Sequence, residues 1–264
     1  MLTDLHCHLL PGIDDGARDL EQALAMARLA LDDQITTTVT TPHHLNGVYK
    51  NPADFIRGEV ERMRAVLEKA EVPLKLLPGS EVHLTPEVPD ALANDQALTI
   101  ADRGRAVLIE LPVHTVPVGA EQLLEQIMAQ QLTPVIAHPE RNSELRQHPE
   151  RLADWVQMGC LGQVTAQSCS GKFGEPVRQA AKQMILDGSI HVIASDAHRD
   201  KRRIPAITPA RESVEQWTSA EIYELLSLTY PTQLANGETP NRTPLNRALA
   251  ELKPERWWKR LFTR

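Results

Sequence analysis

The strongest constraint in this chain is a rhythm: short apolar, β-branched runs recur from end to end, separated by segments of helical spacing. The runs are Leu2–His6, Thr36–Thr41, Leu74–Pro78, Val107–Leu111, Pro134–Ala137, Leu161–Thr165 and His191–Ala194. Each is bounded by Gly, Pro or a polar turn and is short enough to be a buried strand. Between the first two, Leu20, Leu24, Ala27 and Leu31 fall on one helical face. Asp19 and Glu21 at its start suit the positive end of the helix dipole. Phe55, Ile56, Val60, Met63 and Leu67 mark a second helix. Others are expected over Glu121–Gln131, Pro149–Met158, Val177–Asp187 and Ala220–Leu226. Such alternation implies a mostly parallel sheet. About seven units with no obvious linker predict an α/β fold, one closed (β/α)7 barrel and not a split into domains, with an open doubly wound sheet as the alternative. From about Tyr230 the chain is richer in Pro, Asn and Thr and reads as irregular.

Composition narrows the class. At 264 residues the chain can bury a core that needs no disulfides. Cys7, Cys160 and Cys169 are odd in number and show no paired spacing, so a reducing cytoplasm is the expected location. The start, Met1-Leu2-Thr3-Asp4, carries no basic leader, and no run of about 18 apolar residues occurs. A net charge of −7 argues against general nucleic-acid binding but leaves room for a locally positive pocket.

The chemistry is carried by where His, Asp and Glu fall. His6 and His8 are two apart, so on a strand both rings face the same side, the geometry two imidazoles need to reach one metal ion. Asp14-Asp15-Gly16 follows in the first loop, His43 and His44 come just after the second strand, and Glu81 just after the third. Glu110 sits inside an apolar strand, His138 ends the fifth, and Asp196 and His198 end the last. Six of the seven strands thus deliver such a group at or past their C-terminal ends, which in a parallel barrel meet on one rim. Carboxylates and histidines crowded together would repel unless cations neutralised them. Oxygen ligands mixed with imidazoles suit Mn²⁺, Fe²⁺ or Zn²⁺.

These motifs carry a resemblance. His6-x-His8, Asp14-Asp15-Gly16, Thr41-Pro42-His43-His44, Gly79-Ser80-Glu81, Leu108-Ile109-Glu110-Leu111-Pro112, Ile136-Ala137-His138-Pro139-Glu140-Arg141-Asn142 and Ala194-Ser195-Asp196-Ala197-His198 resemble, in order, the motifs of the polymerase-and-histidinol-phosphatase (PHP) superfamily. More narrowly, the chain from residue 1 to about 240 is similar to the tyrosine phosphatases of bacterial capsule and exopolysaccharide operons. The resemblance implies a distorted barrel and a cluster of about three ions, usually manganese or iron. It would place His6, His8, Glu81 and Asp196 on one ion, with Glu81 bridging to a second completed by Glu110 and His138. Asp15, His43 and His198 would hold the third; Asp15 matches the family ligand better than its neighbour Asp14. His44 has no ligand role in the pattern and reads as a loop residue touching substrate. The implied reaction is metal-dependent hydrolysis of phosphotyrosine, on a protein such as the tail of a tyrosine kinase controlling polysaccharide export. A small-molecule phosphatase, such as a histidinol-phosphate phosphatase, is the alternative on the same scaffold.

Phosphate also calls for fixed cations. Arg141 and Arg203 lie in loops on the same rim and match phosphate-binding arginines of that family, with Arg199 and Arg202 competing for the second position. A cysteine-dependent phosphatase needs an arginine six residues after its nucleophile. Those positions here are Ile13, Ala166 and Glu175, so cysteine chemistry is excluded. Cys7 is expected to point away from its flanking histidines. An amidohydrolase also opens with His-x-His but often uses a lysine as bridging ligand, and here the third strand offers Glu81. Ser168–Gly174 reads as a loop lining the pocket mouth. The end of the chain, residues 241–264, finishes in a basic, aromatic run from Lys253 that suits either packing on the barrel or peripheral contact with a membrane surface or an acidic partner.

Overall fold

The computed structural model describes residues 1–252, so the basic, aromatic run expected at 253–264 lies outside the described residues. Nine strands are present: β1 Leu2–Cys7, β2 Ile35–Thr40, β3 His43–His44, β4 Lys75–Pro78, β5 Glu81–His83, β6 Ala106–Glu110, β7 Thr133–Ala137, β8 Leu161–Thr165 and β9 Val192–Ala194. Seven lie where the apolar runs predicted them. The other two, β3 and β5, are short pieces that continue β2 and β4 after a break. The breaks have local causes. Pro42 has no N–H to give a ladder, and a side chain at Gly79 would meet Val39 Cγ1 at 2.8 Å.

Those two breaks change the sheet. Every pairing is parallel, as expected, but the ladders divide into a three-stranded sheet, β1-β2-β4, and a six-stranded sheet, β3-β5-β6-β7-β8-β9. The described residues therefore form an α/β fold of two parallel sheets, and one closed (β/α)7 ladder is not made. The sheets meet at a seam beyond β9, where His8 N donates to Ala197 O (2.8 Å) and Asp196 N to His6 O (2.8 Å). The Asp4 carboxylate reinforces the seam by accepting from Ser195 N at 2.9 Å. Strands from both sheets contribute to one inner apolar layer, with Leu5, Val39, Leu77, Leu108, Val135 and Val192 among its members. A larger outer layer packs the helices onto the strands.

The helices at Leu20–Asp32, Ala53–Lys69, Ala120–Ala129, Pro149–Met158 and Glu175–Leu186 fall within two residues of their expected bounds. Asp19 caps the first, its carboxylate accepting from Gln22 N at 2.8 Å. The expected irregular stretch after Tyr230 is instead largely helical. The helix that begins at Ala220 passes through a wide π-type turn, Leu225–Thr229, and continues over Tyr230–Ala235. Pro231 offers no N–H and crowds the turn before it, and widening that turn lets the helix continue. A last helix, Thr243–Leu252, buries Leu245, Ala248 and Leu249 in the outer layer, so the start of the expected tail belongs to the body of the fold. Among the described residues no helix is long and apolar enough to cross a membrane.

Candidate metal centre

All nine residues singled out as ligands converge at the C-terminal ends of the strands. His6 and His8 come from the end of β1, His43 from β3, Glu81 from β5, Glu110 from β6, and His138 follows β7. Asp196 and His198 follow β9, and Asp15 comes from the first loop. Their ligand atoms form four overlapping groups: His8, Asp15, His43 and His198; His6, His8 and Glu81; His6, His138 and Asp196; and His43, Glu81 and Glu110. Within each group the atoms lie within 4.8 Å of one another.

Glu81 sits at the middle, fully buried. One carboxylate oxygen is 3.2 Å from His6 Nε2, 3.3 Å from His8 Nε2 and 3.0 Å from His43 Nδ1; the other is 2.9 Å from His138 Nε2. Two residues outside the expected set fix the ring orientations. His6 Nδ1 donates to Gln163 Oε1 (2.8 Å) and His8 Nδ1 to Asp14 Oδ2 (2.7 Å), since both partners are acceptors. The Nε2 atoms of both rings therefore face inward, 3.2 Å apart. Glu81 Oε2, Asp196 Oδ1 and His43 Nδ1 are buried and make no hydrogen bond. Inward-facing nitrogens beside buried carboxylate oxygens without donors are a donor set that fits divalent cations.

The electrostatics agree. Burial alone would lower His6, but the Glu81 and Asp196 carboxylates outweigh it and raise its pKa to about 9. His43 is driven to about 12 against the same burial, chiefly by Glu81. Burial would raise Glu81 and Asp196, yet His6 and His43 hold the first, and Arg203, His6 and Arg141 the second, far below the usual carboxylate range. His198 goes the other way, to about 4, through burial and the neighbouring His8. In a cation-free site, protons on imidazoles supply the missing positive charge.

Local backbone shapes the site. His138 (φ 33°) and Asp196 (φ 50°) occupy the left-handed region, unusual for residues with side chains and a sign of strain held by the surroundings. Gly16 passes so close to His8 that a Cβ would lie 2.2 Å from the His8 carbonyl oxygen, which accounts for the glycine in Asp14-Asp15-Gly16. The two aspartates divide the work. Asp14 is buried behind His8, while Asp15, 47% exposed, lies 3.3 Å from His43 Nε2 and 3.4 Å from His198 Nε2.

Arg141 and Arg203 both contact Asp196 Oδ2 and are partly open to solvent. Of the competing arginines, Arg199 is turned to the carbonyls of Asp15 and His198, and Arg202 is exposed. Two expectations are corrected. His44 is buried, its Nδ1 accepting from Asn51 N (3.1 Å), because the strand alternation that points His43 inward turns His44 away. The Ser168–Gly174 stretch is not simply a pocket-lining loop. Ala166–Cys169 is a turn of helix whose Ser168 donates to buried Glu140 at 2.6 Å, and Phe173 lies against the Arg141 guanidinium at 5.2 Å. All three cysteines are buried and free, their thiols pushed up in pKa by burial, and Cys7 points into the outer layer away from the histidines.

The comparisons bear on this geometry. Residues 2–236 match the family of capsular polysaccharide synthesis proteins CpsB/CapC. The chain belongs to the CpsB/CapC family. One relative, the tyrosine-protein phosphatase YwqE of Bacillus subtilis, is 41% identical over 202 residues, covering 76% of this chain and 79% of that protein. A crystal structure described among those of B. subtilis YwqE and Streptococcus pneumoniae CpsB, "unique metal-dependent tyrosine phosphatases", superposes with a TM-score of 0.88 at 38% identity, covering 92% of this chain and 97% of that one. A β-aspartyl dipeptidase from Fervidobacterium islandicum reaches a TM-score of 0.55 at 12% identity, over 88% of this chain and 72% of its own, a likeness of fold alone. The CpsB/CapC assignment thus rests on nearly the whole described chain.

Proposed function

We propose that this CpsB/CapC-family chain is a metal-dependent tyrosine-protein phosphatase. The observation that carries the reading is the ring of buried donors around Glu81, with Arg141 and Arg203 beside it on Asp196. The overlapping groups formed by the nine candidate ligands accord with the cluster of about three ions that the motif resemblance implies, and manganese is the expected metal on that resemblance, since mixed oxygen and imidazole donors suit Mn²⁺, Fe²⁺ and Zn²⁺ alike. Asp15, His43 and His198, joined by His8, form one natural set. Glu110 groups with His43 and Glu81, and His138 with His6 and Asp196, while His138 also lies 2.9 Å from Glu81, in keeping with the Glu81-bridged ion that the motif resemblance implies. When bound, such cations supply hydroxide at neutral pH and neutralise phosphoryl charge. The chain's own part is to orient and to bind. Asp14 and Gln163 hold His8 and His6 with Nε2 inward, while the Arg141 and Arg203 guanidinium groups present paired N–H donors to phosphoryl oxygens. A phenolate leaves with a pKa near about 10, so no strong general acid is required.

On this reading the substrate is a phosphotyrosine-containing protein, and the motif resemblance points to the tail of a tyrosine kinase in polysaccharide export. The buried, unpaired cysteines fit a reducing cytoplasm. The shared inner apolar layer and the seam at Cys7 and Ala197 support viewing the two sheets as halves of one distorted barrel, the catalytic unit taking in residues 1–240 with the helix Thr243–Leu252 packed on it.

The test is turnover of a phosphotyrosyl peptide and of histidinol phosphate after manganese loading, repeated after chelation. The expected result is peptide hydrolysis, lost with the metal and restored on its return. Cleavage of histidinol phosphate alone would overturn the tyrosine assignment. Arg141→Ala and Arg203→Ala should each lower kcat/KM by roughly a hundredfold, the scale of losing one fixed donor to developing charge. Lysine at either position should restore little, because it lacks the guanidinium fork. Unchanged inhibition by inorganic phosphate in both alanine variants would remove them from phosphate binding.

A further inference from the structure

Beside the ligand cluster lies a cleft of about 560 Å³, walled by the loop after β3 (Leu45, Val48, Tyr49 and Lys50) on one side and by His83 and Thr85 on the other. The loop is held in shape. Asn46 Oδ1 accepts from Val48 N (3.0 Å) and Tyr49 N (2.7 Å), and Leu45 and Gly47 take left-handed backbone conformations that turn the chain. Its base is anchored by Asn51, whose side-chain amide donates to His43 O (2.9 Å) and Ile13 O (3.1 Å).

Both walls run to the proposed ligands. The Tyr49 ring is stacked on His43, 6.0 Å between centroids and 10° from parallel. His83 Nδ1 lies 3.2 Å from Glu110 Oε2. His43 and Glu110 thus sit directly behind two of the cleft's lining residues, Tyr49 and His83, while the loop also offers Leu45 and Val48, the latter 77% exposed. An aromatic face and two aliphatic side chains on a pinned loop, next to a site for anions, suit a ligand that is flat and apolar with a charged end.

We infer that this cleft is the subsite for the aryl group of the substrate, and that Tyr49 and Val48 give selectivity for aryl over alkyl phosphate esters. The inference rests on the phosphatase reading above and adds the part of the site that reads the leaving group. The phenyl ring lies along Tyr49 and Val48 while its phosphate faces the ligand cluster. The volume exceeds that of one ring, so peptide flanking the tyrosine also fits. Because the contacts are apolar ones to the face of the ring and none is made to the breaking P–O bond, they act chiefly on substrate binding.

The test is calorimetric titration of the manganese-loaded full chain with phenylphosphonate and methylphosphonate, which carry the same charged group and are not hydrolysed. The unaltered protein should bind phenylphosphonate more tightly. Val48→Ser and Tyr49→Ala should weaken phenylphosphonate by roughly three- to tenfold, the scale of an aromatic contact, and leave methylphosphonate unchanged. Val48→Ser guards against disturbance of His43 through the Tyr49 stack. The inference is overturned if the unaltered protein does not prefer the phenyl ligand, or if neither variant loses it selectively. Failure of the phosphatase reading shows separately, as absence of manganese-dependent hydrolysis of the phosphotyrosyl peptide, because the titrations do not depend on turnover.

Discussion

Glu81→Gln is expected to lower kcat/KM by on the order of a thousandfold, about 4 kcal/mol of transition-state stabilisation, with bound metal falling in parallel. The substitution keeps volume and shape, so a void in the packing does not confuse the outcome. It removes the charge that lies within 3.3 Å of His6, His8 and His43 and within 2.9 Å of His138. It is the one carboxylate of the set that lies against four of the histidines, His6, His8, His43 and His138, and its buried Oε2 makes no hydrogen bond that an amide could inherit. An amide is a poor ligand for a hard cation and cannot balance neighbouring charge. Elemental analysis beside turnover of a phosphotyrosyl peptide checks both halves. A glutamine variant with full metal and more than about a tenth of the activity would show that Glu81 is not the centre of the site.

What could be read from the sequence, and what could not, follows from how local each signal is. Seven strands announced themselves because β-branched apolar runs between breakers are a local pattern, and so did helices with one apolar face such as Leu20–Asp32. The pairs β3 and β5 were invisible, since two or three residues carry no period. Their effect on the sheet depends on a proline and on the approach of Gly79 to Val39, a contact between strands. The helical passage through Pro231 was missed because proline is a local breaker, while the widened turn that accommodates it is built from residues whose propensity says nothing.

The candidate ligands were legible for a chemical reason: charged or imidazole side chains at the ends of apolar strands have little cause to be there without a partner. Their supports were not. Gln163 is an amide in a buried strand and Asp14 one of two adjacent aspartates, and only the hydrogen bonds to His6 and His8 reveal what they do. An amide in the middle of the short buried run Leu161–Thr165 was the available signal for Gln163. Asp4 and Glu140 gave a similar one. Both are buried acids; the first ties the seam together through Ser195 and the second braces Ser168 below the Arg141 loop.

Removing the metal should destabilise the protein, and the size of the effect should grow with pH. A ligand present at ~1,000 times its dissociation constant stabilises by about 4 kcal/mol. For a chain of this size that corresponds to roughly 8–16 °C in thermal midpoint. The pH trend follows from what replaces the cations. In the metal-free protein His6 is raised to about 9 and His43 to about 12, above the ordinary imidazole value of about 6.5. Groups raised on folding contribute stability that is complete below the unfolded pKa and is lost as pH climbs through the folded one. The His6 contribution therefore fades between about pH 6.5 and 9. The depressed carboxylates of Glu81 and Asp196 act oppositely, contributing above the ordinary carboxylate range and losing that contribution as pH falls toward their folded values. Over the interval that matters they stay ionised. Cations must displace the imidazole protons, so affinity rises by up to about tenfold per pH unit for each proton released. Thermal denaturation with manganese and with excess chelator, at pH values from about 6.5 to 8.5, should give two curves that separate as pH rises. A constant separation would mean that the imidazoles of the empty site carry no protons for the metal to displace, and that the charge balance around Glu81 is set by something other than His6 and His43.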